Sequence, residues 1–244
     1  MKKAIIVLAA LILSFVIFSN CGEDKEELKM SDAQKTSAKN VVSNVTTLKT
    51  LKTDPKNQDV FAKLSAIQGD ATNLIAAAEG SGQNTGKLTA ALLQVNENCI
   101  TATDTKVTYN CSAADFGGLY AISGTVTFSG DTYEIDLKMD MQSTGTTVSL
   151  IYKGKVTIPD TKIDGNLEYS YKTEVSGGEG IPGGMASATY NLKIKYDNIA
   201  LDSAGCPTGG KTNIEYDVSA QGQSQKGSVE LEYGPKCGDV KMYK

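Results

Sequence analysis

Apolar and polar residues change their period once along this chain. Between residues 31 and 97 the apolar positions recur at helical spacing, and from Cys99 onward they alternate. Val41, Val45 and Leu48 stand at i, i+4 and i+7, and Leu51 extends the stripe. That spacing lines up one face of a helix. Ser31 followed three residues later by Gln34 is a capping-box signature. Asp54-Pro55 reads as a break and a new start, because proline is tolerated in a first helical turn. Phe61, Leu64, Ile67, Ala71, Leu74, Ile75 and Ala78 form a second stripe, which Gly80-Ser81-Gly82 ends. Lys87 to Val95 predicts a third, short helix. A helical hairpin with such stripes needs an apolar partner, and its heptads are short for a coiled coil.

The second pattern supplies that partner. Tyr133, Ile135, Leu137, Met139 and Met141 alternate with Glu134, Asp136, Lys138 and Asp140. The same alternation runs through Val148–Ile158, Leu167–Val175, Tyr190–Tyr196, Ile214–Val218 and Val229–Tyr233. Period-two runs with one apolar face predict a half-buried antiparallel sheet. Turn residues divide the runs: Ser129-Gly130-Asp131, Ser143-Thr144-Gly145, Pro159-Asp160, and the glycine-rich stretch Gly177–Gly184. Gly124, Gly154 and Gly165 fall on the apolar face inside strands, where glycine marks a bend or a close backbone approach. The fold class expected is α+β, an N-terminal helical hairpin packed on a large, strongly curved antiparallel β-meander, a partial or closed barrel. The organisation expected is a leader at 1–20, a polar tether at 21–30, helices at 31–98 and a β domain at 99–244.

The leader rests on its own pattern. Lys2 and Lys3 precede an uncharged apolar run from Ala4 to Phe18, short for a membrane-spanning helix and right for a signal peptide. The run ends at Ser19-Asn20-Cys21-Gly22, and the polar Glu23-Asp24-Lys25-Glu26-Glu27 follows. Phe18-Ser19-Asn20-Cys21 resembles a bacterial lipobox, with Phe18 and Asn20 where most carry Leu and Gly or Ala. Such relaxed lipoboxes are seen in spirochaetal lipoproteins. The resemblance covers the first thirty or so residues, and it implies cleavage before Cys21, lipidation of Cys21 and anchoring in the cell envelope. Gly22 stands where aspartate would favour inner-membrane retention in enteric bacteria, which points to the outer membrane. Two or three acyl chains anchor stably where one would be marginal.

With Cys21 lipidated, Cys99, Cys111, Cys206 and Cys237 remain. An even set in an oxidising compartment suggests two disulfides out of three possible pairings. Cys99–Cys111 and Cys206–Cys237 are favoured, because each pair flanks a segment that reads as paired strands. A zinc site fits poorly, since the chain has no histidine and no CxxC.

Composition narrows the chemistry. The chain of 244 residues has a formal charge of −4; without residues 1–20, which carry two lysines and no acid, it is −6. That balance argues against nucleic acid. Zero histidines removes the commonest general base and the Ser–His and Cys–His nucleophile pairs. Asp136 and Asp140 share one strand face, but acids alternating with lysines read first as a solvated surface. The glycine stretch 177–184 lacks phosphate-loop spacing. Tyr133, Tyr169, Tyr171, Tyr190, Tyr196, Tyr216 and Tyr233 mostly share the apolar face, as core or as the lining of a ligand cavity. A transmembrane β-barrel would also use such strands, but the lipobox, the acidic tether and the cysteine pairs oppose it. The sequence therefore points to a non-enzymatic, lipid-anchored envelope protein, binding or structural, without catalytic residues, metal or cofactor. A lipid or small apolar ligand inside the curved sheet, or an adhesin role, is the alternative.

Overall fold

The computed structural model describes residues 25–54, 59–80, 99–116, 118, 120–143, 145–176, 185–220 and 223–244. The expected leader, Cys21, the expected third helix and the glycine stretch 177–184 lie outside them. Among the described residues the first elements are β1 (Glu27–Leu28), α1 (Asp32–Ser43), a 3-10 helix (Val45–Lys52) and α2 (Asp59–Ala78). The strands follow: β2 (Ile100–Thr103), β3 (Lys106–Cys111), β4 (Tyr120–Ser129), β5 (Thr132–Ser143) and β6 (Thr146–Thr157). Then come β7 (Lys162–Ser176), β8 (Met185–Leu201), β9 (Pro207–Ala220), β10 (Gln223–Tyr233) and β11 (Val240–Tyr243).

All eleven strands form one sheet in the order β1-β11-β10-β9-β8-β7-β6-β5-β4-β3-β2. From β2 to β11 it is a plain meander, each strand antiparallel to the next. The sheet does not close, because β1 and β2 are its two free edges. The closed-barrel option is thereby corrected. Leu28 and Met242 pair across β1 and β11, and the Glu26 and Lys244 backbones exchange hydrogen bonds of 3.2 and 3.1 Å. The sheet thus begins inside the segment that composition reads as a tether.

The helical half shows a change of helix type. Ser31 caps α1, with Gln34 reciprocating from its side chain. Beyond Asn44 the apolar spacing shortens from four residues to three, at Val45, Leu48 and Leu51. A 3-10 helix has three residues per turn, so that spacing keeps all three on one side. Thr46, Thr47, Thr50 and Thr53 each hydrogen-bond a carbonyl three residues back, at 2.6–3.1 Å. These side-chain bonds help to hold a 3-10 run longer than the usual three or four residues.

The hairpin lies crosswise over the strands. Tyr233 on β10 donates to the Ala38 carbonyl and Tyr196 on β8 to that of Val41, both at 3.0 Å. Lys49 reaches Asp160 in the β6–β7 turn at 3.0 Å, and Lys52 reaches Asp131 in the β4–β5 turn at 3.4 Å. The path then reverses. Phe61 packs edge-on against Tyr109 of β3, Ser65 bonds Tyr152 of β6, Thr72 bonds Tyr190 of β8, and Glu79 bonds Tyr216 of β9. The two helices are tied to each other through the buried Ser37–Asp70 hydrogen bond of 2.9 Å. Helical and strand stripes merge into one core, with Leu64, Ile67, Leu74, Leu137, Ile194 and Leu231 all at most 1% exposed. Burying each such side chain contributes roughly 1.5–3 kcal/mol.

Gly124, Gly154 and Gly165 have φ of +123°, +151° and +125°. A Cβ at any of them would collide with a facing main-chain carbonyl: Asp136, Asn166 and Lys155 respectively. Both facts require glycine. Two disulfides pin the outer parts of the sheet. Cys99–Cys111 joins the entry of β2 to the end of β3, and Cys206–Cys237 joins the β8–β9 connection to the β10–β11 connection.

Candidate functional site

The inner face of the sheet is a tyrosine layer. The seven tyrosines singled out by alternation are all buried, at 0–8% exposure, and Tyr109, Tyr120 and Tyr152 join them. Their hydroxyls are what distinguish the layer from an aliphatic core. Five of them end on the helical hairpin, as described above, and Glu79 also meets Gln225 at 3.4 Å and Lys244 at 3.0 Å. Glu79 follows the C-terminus of α2, where the helix dipole disfavours an acid. Its three sheet partners supply the compensating contacts. Burial pushes the Tyr109 phenol up to about 12 and those of Tyr152, Tyr169, Tyr190, Tyr196 and Tyr233 upward too. Tyr216 rises for the same reason, helped by the Glu79 carboxylate. None is poised as a nucleophile or base near neutral pH. Among the described residues, Gln68 Oε1 and the hydroxyls of Tyr109 and Tyr169 are buried without a hydrogen-bond partner.

The outer face carries a groove of about 560 Å³. It crosses the strands from β6 to β10. Short side chains floor it: Ile151, Ser170 and Asn191, neighbours in register on β6, β7 and β8, with Ser170 donating to Asn191 at 2.7 Å. One wall is the next register row, Lys153, Glu168, Lys193 and Glu215, and Asp136 on β5 extends that row beyond the groove. Its charges alternate in sign from strand to strand. Lys153 lies 3.5 Å from Asp136, and Lys193 lies 3.7 Å from Glu168. Asp217 and Lys226, paired at 2.8 Å, line the β9–β10 end. Exposed pairs of this kind contribute about 0–1 kcal/mol each, so the ladder favours strand register more than stability. Strand alternation assigns these residues to the outer face but cannot align them across strands, so the sequence alone does not reveal the groove.

Asp136 and Asp140 do not form a carboxylate pair. Asp136 faces Lys153, while Asp140 accepts from Ser149 at 2.8 Å and pairs with Lys138 at 2.7 Å. Each is held by its own cation. Asp202, Cys206 and Cys237 also converge, but both sulfurs are in the disulfide. The Asp202 carboxylate accepts from the Ala204 and Cys206 amides at 2.9 and 2.8 Å. That is an aspartate turn in an oxidised loop, with its ligand atoms already engaged.

No family model matches this chain, and neither a curated protein nor a solved structure matches it.

Proposed function

We propose that this is a non-enzymatic, lipid-anchored protein of the cell envelope, most consistent with the outer membrane, that binds or braces a partner from a sheet closed off by its own helices. The observation that carries the reading is the occupied inner face. The apolar side chains of the hairpin and of the strands bury one another, and five tyrosine hydroxyls fasten the two layers. The two disulfides add support, since such bonds persist in oxidising compartments. So does the leader ending at Cys21. The groove across β6–β10 is then a surface open to a ligand or partner.

Curvature belongs to the same reading. Phe61 meets β3 and Ser65 meets β6. Four helical residues advance about 6 Å, while three strand spacings span about 14 Å when flat. The sheet rolls toward the hairpin there, and Gly124 and Gly154 lie in that stretch. The shape is a partial barrel with a helical filling.

A second reading, a carrier of a lipid or small apolar ligand, has one observation in its favour. Gln68 Oε1 and the Tyr109 and Tyr169 hydroxyls are buried groups that an internal ligand would satisfy. Solvent extraction of the protein purified from envelopes decides between them. The proposed reading expects no extractable lipid beyond trace amounts after the covalent anchor is accounted for. One lipid per chain would replace it with the carrier.

A further inference from the structure

Few residues separate Cys21 from the folded sheet. Lys25 Nζ lies 2.8 Å from Glu230 on β10. Glu26 and Lys244 exchange backbone hydrogen bonds, and Glu27 pairs with Tyr243. Gly22, Glu23 and Asp24 alone separate Cys21 from Lys25. Four Cα–Cα steps reach at most about 14 Å. A tether running free from Cys21 to Ser31 would reach about 35 Å.

On this basis, and resting on the lipidation of Cys21, we propose that the β1–β11 edge of the sheet is the membrane-facing surface of the protein. Its partner is the headgroup layer of the bilayer that holds the anchor. The edge suits that place. β1 has two residues, and among the described residues no strand pairs with its outer side, an edge that a sheet ordinarily protects from other strands. Lys25, Lys29, Lys241 and Lys244 stand among Glu26, Glu27 and Glu230 along it. This mixed rim is compatible with hydrated headgroups, and among its described residues there is no exposed apolar stretch to insert. At the other end of the sheet, α2 acts as a strut. It runs from Tyr109 on β3 to Lys244 beyond β11, and Phe61 to Glu79 is about 27 Å of helix. The β2 edge is therefore held away from the anchored one.

The chain has no tryptophan, so single tryptophans report position. Lys29→Trp marks the anchored edge and Thr101→Trp the β2 edge; both residues are exposed. Each full-length, acylated variant is reconstituted into vesicles carrying dansyl-labelled headgroup lipid, and energy transfer is measured. A third protein adds ten Gly/Ser residues between Gly22 and Glu23 to Lys29→Trp. The expected result is transfer from Lys29→Trp at least twofold above Thr101→Trp, falling by half or more with the insertion. Equal transfer from the two sites, stronger transfer from Thr101→Trp, or indifference to the insertion would overturn the orientation. Detergent phase partition of wild type beside Cys21→Ala separates the two failures. If both enter the aqueous phase, the anchor reading fails; if only the variant does, any failure belongs to the orientation alone.

Discussion

Tyr196 and Tyr233 each carry a hydroxyl through an apolar layer to a main-chain oxygen of α1, on Val41 and Ala38. Val41 lies in the last turn of its helix, where carbonyls run short of amide partners. Tyr196→Phe should therefore lower stability by about 1–2 kcal/mol, read as a denaturation midpoint shift with an unchanged slope. A polar residue on an otherwise apolar strand face was legible; its partner on a helix was not, because the pairing spans 155 residues. The glycines were more readable. Gly165→Ala combines a forbidden φ with a collision at the Lys155 carbonyl, so a loss of about 1–3 kcal/mol is the minimum expected. A thermal melt unchanged from wild type would show that the strand does not bend there. Glu230 gives a pH dependence. The Lys25 ammonium hydrogen-bonded to it holds its carboxyl below the usual carboxylate range, with Lys211 assisting. A depressed folded-state value means that stability is present above the ordinary glutamate pKa and is lost as pH falls through the folded one. Acid should loosen β1 first, and hydrogen exchange at Glu26 and Lys244 would register it.

At the scale of elements, helix and strand type followed from periodicity, because each must turn its apolar side to the same core. The 3-10 helix at Val45–Lys52 was hidden in the same stripe; only the change from four-residue to three-residue spacing marks it. The strand pattern could not say whether the sheet closes. That depends on whether the first and last strands meet, and a two-residue β1 joined to β11 leaves them apart. Both disulfides were legible, since each cysteine pair flanks a local meander. Their energies should differ. Loop entropy for separations of 12 and 31 residues gives about 3 and about 4 kcal/mol. The double Cys206→Ser/Cys237→Ser variant should thus melt below the Cys99→Ser/Cys111→Ser variant. α2 lays its apolar stripe into the shared core. Leu64→Ala, at a site 1% exposed, should lose about 2–5 kcal/mol.

For the molecule as a whole, the tyrosine layer sets the alkaline limit. Phenols raised in the folded state stabilise it below the unfolded tyrosine pKa of about 10, and that contribution is lost as pH rises above it. Phenolate absorbance should accordingly appear for these tyrosines in one step with loss of sheet dichroism; gradual ionisation with the fold intact would mean that the layer is open to water. The groove and the proposed membrane-facing edge emerge only at this scale, the first from register and the second from the few residues between Cys21 and Lys25. The account stands most directly on Cys21, and mass analysis of the N-terminal tryptic peptide from envelope-derived protein tests it. The result expected is Cys21-Gly22-Glu23-Asp24-Lys25 carrying a diacylglyceryl group, with or without a third acyl chain. An unmodified Cys21, whether in an uncut chain or behind a different cleavage point, would contradict it.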